Sequence, residues 1–156
     1  MAFRKVQSND THAGGMGGFY EPIHYFTASI EGEVTADKTH TLFIAPAGGT
    51  IVSVVGSVLE NGSDANEDLT MTFKVKKGAT EVCSTNPAIA KTAASDAQVD
   101  TAASGTGITQ AVIKTDGSED FVAGDCISVL FDITRNTVDT EITGPACTIG
   151  VKFNAV

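Results

Sequence analysis

Apolar and polar residues alternate along three segments of the chain, and this alternation is typical of β-strands with one buried face. The apolar members of these segments are Met71, Phe73 and Val75; Ile127, Val129, Phe131 and Ile133; and Cys147, Ile149, Val151 and Phe153. Successive side chains of a strand point to opposite sides, so each set lies on a single face of its strand. We therefore expect all three sets to contribute to one hydrophobic core.

Further short apolar runs are separated by turns rich in Gly, Asn, Asp and Pro, and no segment keeps a helical period. Residues 85–107 form a long stretch without a predicted strand. We expect a loop there that projects from one end of the domain, with a short helical turn in PAIAKTAASDA as an alternative. About eight short strands with turns between them predict an all-β fold, a jelly-roll β-sandwich of antiparallel strands in residues 23–156.

Residues 50–59 are apolar on both sides of the predicted strand. One parity carries Val52, Val54 and Val58. The other carries Ile51, Val55 and Leu59, and Leu130 is a similar apolar residue opposite a core-facing set. A strand that is apolar on both faces is usually covered on both, but a strand of a two-layer sandwich has only one internal face. We expect this second group to lie at a subunit interface; coverage by the chain's own loops is the alternative.

Residues 1–22 precede the first predicted strand and are expected to form an extended arm. Four of the five positions 14–18 are glycine, which disfavours both helix and strand. The arm either folds back on its own domain or lies across a neighbouring subunit as a strap. The residues that we expect to contact a partner are Phe3, Arg4, Lys5, Phe19 and Tyr20.

The charge of the chain restricts the classes of partner. Its formal net charge is −9, with only ten Lys and Arg residues, so a nucleic-acid partner is not expected because phosphate binding needs concentrated positive charge. No apolar run approaches the length of a membrane span, and the N-terminal segment is polar and Gly-rich, unlike a secretory signal. We expect synthesis in a cytoplasm and no membrane partner.

The chain contains no recognisable set of metal ligands or catalytic residues. Residues 64–68 begin like a calcium loop, but Leu69 stands at the glycine position and Val75 at the position of the bidentate glutamate. The three histidines (His12, His24 and His40) and the three cysteines (Cys83, Cys126 and Cys147) lack ligand or catalytic spacing. The sequence also lacks a G-x-S-x-G motif. We expect free thiols, no metal, no cofactor and no enzymatic activity.

Two segments, LFIAPAGGTIVSV and FVAGDCISVLF, resemble small jelly-roll proteins from the structural gene clusters of tailed phages, especially head decoration (cement) proteins. The second segment is also similar to trimeric jelly rolls of the tumour-necrosis-factor-like and complement types. The resemblance lies in the pattern of residues 27–153 rather than in an invariant signature. It implies a homotrimer with no catalytic residue.

The same resemblance implies a structural role on the outer surface of a phage capsid. The partner is then the major capsid protein, the location is the virion, and the arm bridges neighbouring subunits. A receptor-binding domain of a tail fibre or baseplate is the alternative. The two roles differ in location and copy number, because a decoration protein covers the head and a receptor-binding domain occupies a few sites at the tail.

Overall fold

The computed structural model describes residues 22–62, 69–94, 96–135 and 142–154. The predictions made for the arm residues and for the acidic turn at 64–68 lie outside these ranges. The arm residues concerned are Phe3, Arg4, Lys5, Phe19 and Tyr20.

The described residues form strands and connecting turns. In chain order the strands are β1 (Ile23–Ser29), β2 (Lys38–Ile44), β3 (Gly49–Ser57), β4 (Thr70–Lys77), β5 (Thr80–Glu81), β6 (Cys83–Thr85), β7 (Ala88–Ala90), β8 (Gln98–Val99), β9 (Ile108–Thr109), β10 (Val112–Ile113), β11 (Asp120–Phe121), β12 (Cys126–Thr134) and β13 (Ala146–Phe153). No helix occurs in the described ranges, so none there is long and apolar enough to cross a membrane.

The strands build two antiparallel sheets that pack face to face. The first sheet has the order β1-β13-β3-β11, with β8 beside β3; the second has the order β2-β12-β4-β7-β9, with β5 beside β4. Strands β6 and β10 form a separate ribbon. Each sheet interleaves strands from the beginning and the end of the chain, which is the arrangement of a jelly roll. The predicted all-β sandwich is thus confirmed.

The core lies between the two sheets and contains the three alternating sets. All their members are 0 % exposed except Ile133 and Phe153, which are partly buried and pack against the others. Phe73 and Phe131 lie opposite each other on β4 and β12, and their rings meet edge to face at 5.8 Å. At the side where β1 passes β2, the stacked rings of Phe26 and Phe43 are 4.1 Å apart and close the sandwich. The predicted orientation of the three sets is confirmed.

The stretch 85–107 differs from its prediction because it contains strands. Ile89 lies opposite Met71 in the ladder between β7 and β4, and both side chains are 0 % exposed. The described part of PAIAKTAASDA holds β7 instead of a helical turn. The alanines around Ile89 favour helix by intrinsic propensity, but burial of Ile89 against β4 outweighs that preference.

The two apolar parities of β3 result from a shift in strand register. Ile51 lies opposite Val151, yet Ser53 lies opposite Gly150, so β3 carries an extra residue at this point. Such a β-bulge reverses which parity faces the core. Ile51 is therefore buried together with Val54. The expectation that Ile51 lies on the outer side of the sheet is wrong.

Candidate interaction surface

The outer surface of the first sheet consists almost entirely of uncharged residues, most of them small. We define the front face as Ile23, Tyr25, Thr27 and Ser29 of β1, Ala146, Thr148 and Gly150 of β13, and Ser53, Val55 and Ser57 of β3. These residues alternate with the buried residues of the same strands. Within the described strands of this sheet, charge appears only where the face ends, at Lys152 opposite Ile23 and at Asp120. In a chain of net charge −9, such a surface is unusual because soluble proteins normally place charge on exposed sheets.

Side chains of the front face contact one another across the strands. The hydroxyl groups of Thr27 and Thr148, which lie directly opposite each other, are 2.8 Å apart. Gly150 is buried between the side chains of Tyr25 and Ser53, and a Cβ atom there would lie 3.2 Å from the Tyr25 ring. Tyr25 nevertheless remains 66 % exposed. The ring therefore lies beside a smooth stretch of backbone, with most of its surface available to a partner.

The outer surface of the second sheet is different because it carries paired charges. Lys74 forms an ion pair with Asp132, and the hydrogen bond to Asp132 raises the pKa of the Lys74 ammonium above its usual value. Lys76 lies opposite Glu81 in the neighbouring ladder. Leu130 is half-buried between these groups, directly opposite Lys74. We call this surface the back face; its charges would have to be desolvated in a dry contact.

The four residues predicted to lie at a subunit interface occupy different parts of the molecule. Val55 is half-buried on the front face, and Leu130 is half-buried on the back face. Leu59 is 61 % exposed beyond the end of β3, where its side chain lies against Gly144. Ile51 belongs to the core. The structure therefore does not bring these residues together, and contact of the three accessible residues with another subunit remains a prediction.

The sequence analysis did not identify several exposed apolar side chains. Tyr25 and Ile44 are each 66 % exposed, and Val122 is 65 % exposed. Tyr25 was missed because both parities of IHYFTAS carry aromatic residues, so the alternation does not reveal which side is outward. Ile44 lies beside the Val122 turn because backbone hydrogen bonds of 2.8 Å join Ala45 to Gly124 and to Asp125.

The turn in the VAGD segment explains one of the two motifs that carry the family resemblance. The Val122 amide donates a hydrogen bond of 2.9 Å to the Asp125 carboxylate. Gly124 has a φ of +92°, which L-residues with side chains rarely adopt. These two features make a tight connection between β11 and β12. The motif is thus required by turn geometry, with no need of a ligand.

Potential metal ligands are dispersed in the described ranges. No group of three His, Cys, Asp or Glu side chains in the described ranges could hold a metal ion. His24 and His40 each pack edge-on against a phenylalanine, at ring distances of 5.3 and 5.7 Å. A shallow, open groove of about 570 Å³ beside β9 and β10 is lined by uncharged residues such as Gln110 and Val112.

Burial distinguishes the three cysteines. Cys83 and Cys147 are buried, and Cys126 is exposed. Burial raises the pKa of the Cys83 thiol to about 11 and that of the Cys147 thiol to about 12. Both buried groups are therefore neutral and poorly nucleophilic at neutral pH.

Comparison with known proteins shows similarity to a solved structure. No family model matches the sequence. No curated protein matches it. A chain from a structure described as "Cyanophage Pam1 capsid asymmetric unit" is 14 % identical, with a TM-score of 0.47, and the alignment covers 98 % of this chain and 99 % of that chain.

Proposed function

We propose that this chain is a structural protein of a virion, which binds the outer surface of a tailed-phage capsid as a decoration protein. The observation that carries the proposal is the front face, a continuous uncharged sheet surface on a chain of net charge −9. The jelly-roll order of the strands and the two motifs in the sequence agree with this role. The proposed role is structural and involves no catalysis, cofactor, nucleic acid or membrane.

The physical argument concerns the cost of removing charges from water. Acidic molecules repel one another, and each charge that is buried in a contact must be desolvated. A surface made of Thr, Ser, Ala and Val avoids both costs and can pack closely against a partner. The centres of protein interfaces are depleted of charged residues in the same way. The front face is thus the part of the described surface best suited to a permanent contact.

A homotrimer is the second part of the proposal. Val55 and Leu130 lie on opposite faces of the sandwich, so a self-complementary two-fold contact could not contain both. A contact that joins different surfaces of successive copies closes into a ring when the rotation between copies permits it, and three copies form the smallest such ring. In this arrangement residues 1–22 extend from each copy and act as a strap across its neighbour.

Binding to an assembled capsid would stabilise it by mass action, because a ligand that binds only the assembled state shifts the equilibrium toward that state. Phe3, Phe19 and Tyr20 would add apolar contact area as the arm orders on the capsid. Arg4 and Lys5 would supply local positive charge in an acidic chain. The major capsid protein is therefore the proposed partner, and the capsid surface is the proposed location.

The test is to measure the molar mass of the full-length protein by light scattering and then its binding to heads purified from the phage that encodes it. We expect a trimer in solution and hundreds of bound copies per head, as is usual for a lattice-wide coat. Val55→Glu should abolish head binding or trimer formation, whereas Thr115→Glu, which adds the same charge on an exposed turn, should preserve both. A monomer that ignores heads would overturn the proposal, and a few copies at the tail would favour a receptor-binding role.

A further inference from the structure

β1 is an edge strand whose second side is unpaired within the described residues. It pairs with β13 over its whole length, from Ile23 opposite Lys152 to Ser29 opposite Ala146, without a register shift. The next residue, Ile30, donates its backbone N–H to Pro145 at 2.9 Å, toward the β13 side. Because strand N–H groups alternate in direction, those of Tyr25 and Thr27 point away from β13. This free edge can accept another strand.

The edge of β1 lacks the features that normally prevent strand addition. Charged residues, proline and bulges protect the edges of natural sheets. The sequence of β1, IHYFTAS, contains neither charge nor proline, and its ladder is regular. By contrast, β2 at the edge of the other sheet begins with Lys38 and contains a register shift between Thr41 and Phe43. One edge of the sandwich is therefore protected and the other is open.

The segment that precedes β1 has the length and composition of a strand donor. At least 21 residues come before Pro22, and residues 2–7 (AFRKVQ) contain neither glycine nor proline. The 14 residues that separate this hexapeptide from Pro22 span roughly 50 Å when extended, whereas a domain of this size is roughly 35–40 Å across. The hexapeptide can therefore reach an adjacent copy.

The positive charge of residues 2–7 also favours this segment as the added strand. Arg4 and Lys5 are two of only ten cationic residues in a chain of net charge −9, and Glu31 and Glu33 follow the acceptor strand closely and are exposed. A basic strand added beside β1 meets no positive charge on that strand. The uncharged front face continues into the same edge, so the added strand would extend it.

We propose that residues 2–7 of one copy add as a β-strand to the free edge of β1 in a neighbouring copy. The backbone of Tyr25 and Thr27 supplies the N–H and C=O groups that hold it, in the manner of strand-addition complexes. This inference rests on the proposed function, because it requires copies that are held side by side. It specifies where on the neighbour the strap lies.

Amide hydrogen exchange of the full-length protein tests whether the edge is occupied. In a dilute, monomeric sample, the amides of Tyr25 and Thr27 should exchange quickly and those of His24 and Phe26 slowly. In the concentrated, associated sample all four should exchange slowly. Val6→Asp, in an otherwise complete chain, should restore fast exchange at Tyr25 and Thr27 alone. Fast exchange of these two amides in the associated wild-type protein would overturn the inference.

Cross-linking identifies which segment pairs with the free edge of β1. In a Cys126→Ser background, a cysteine is placed in turn at each of residues 3–6 in one isotope-labelled preparation and at Thr27 in an unlabelled one. We expect a mixed disulfide after the two preparations are combined, and none when Thr115→Cys replaces Thr27→Cys. A Thr27–Thr27 cross-link would instead indicate β1 of a second copy, and cross-links confined to one chain would indicate the chain's own arm. Either result, or no cross-link at all, would overturn the inference.

A matched pair of variants tests the strand addition separately from the proposed capsid role. Thr27→Pro removes the outward N–H and retains the ladder to β13, because proline is tolerated where a strand's N–H faces solvent. Thr27→Ala loses the hydroxyl contact with Thr148 but keeps the N–H. We expect only the proline variant to keep fast exchange of the Tyr25 amide in the associated sample. If cross-links form but the protein ignores heads, the capsid role fails alone; if heads are bound without cross-links, the strand addition fails alone.

Discussion

Ile51 lies directly opposite Val151 in the ladder between β3 and β13, and both side chains are buried. Two residues later Ser53 lies opposite Gly150, and the alternation of β3 has changed sides. The bulge thus places Ile51 and Val54 in the same core although they differ in parity. Val55 remains partly accessible and lies at the centre of the front face.

The first prediction is that substitutions at Ile51 and Val55 differ in their effect on stability. Ile51→Ala should lower the free energy of unfolding by about 2–5 kcal/mol, because it removes buried methyl groups and leaves a cavity. Val55→Ala on the front face should cost less than about 1 kcal/mol in the monomer. Urea unfolding at low protein concentration measures both values. Equal losses would show that Ile51 does not face the core.

The second prediction concerns close packing at Gly56. A Cβ atom at this position would overlap with the ring of Phe73, which is 0 % exposed and cannot move outward. Gly56→Ala should therefore destabilise the fold by about 1–3 kcal/mol through overpacking.

Gly105→Ala is the matched control for this variant. The nearest atom to a Cβ there is Cδ1 of Ile108 at 3.6 Å, an ordinary contact. The midpoint of urea unfolding should remain close to that of the wild type. A loss equal to that of Gly56→Ala would contradict the packing explanation.

The third prediction concerns the thiols and their pH dependence. One thiol per native chain, Cys126, should react rapidly with an aromatic disulfide reagent, and all three should react after unfolding. The raised folded-state pKa values of Cys83 and Cys147, about 11 and 12, contribute stability that is fully present below the unfolded pKa of about 8.5. That contribution falls as the pH rises from there toward 12, because the unfolded state then releases protons that the native state keeps.

The pH dependence can be assigned to individual thiols by comparing how steeply the stability of each variant changes with pH. Cys83→Ala should show a smaller loss of stability between pH 8 and 10 than the wild type, whatever its stability at pH 8. Cys126→Ser should keep the wild-type slope. Rapid labelling of all three thiols in the native protein would be inconsistent with the burial of Cys83 and Cys147.

The fourth prediction concerns Asn61, a buried polar residue just beyond β3. Its Nδ2 group donates hydrogen bonds to the carbonyl oxygens of Ala93 and Ala94, at 2.5 and 2.7 Å. Asn61→Ala removes both donors and should cost about 1–3 kcal/mol. Asn61→Asp should cost at least as much, since it places an acceptor against two carbonyls. Asn154→Ala, on an exposed side chain, should change unfolding by less than about 0.5 kcal/mol.

A substantial part of the fold could be predicted from local patterns. The predicted core-facing residues of β4, β12 and β13 were correct because these strands are long and regular, and each has one clearly apolar parity. The VAGD turn was also recognisable, since its glycine and aspartate are what the local geometry requires. The candidate site was harder to predict: of the four interface residues, Ile51 lies in the core, and Tyr25, a front-face side chain that is 66 % exposed, was not identified.

The amino-acid sequence by itself determined the fold class, the faces of the regular strands and the acidic charge. Each of these depends on residue type or on a period of two along one strand. Tertiary structure decided the rest: the bulge in β3, the pairing of Ile89 with β4, and the grouping of uncharged residues from β1, β3 and β13 on one face. These features depend on which strands become neighbours, and that choice is made by burial and hydrogen bonding between segments far apart in the chain.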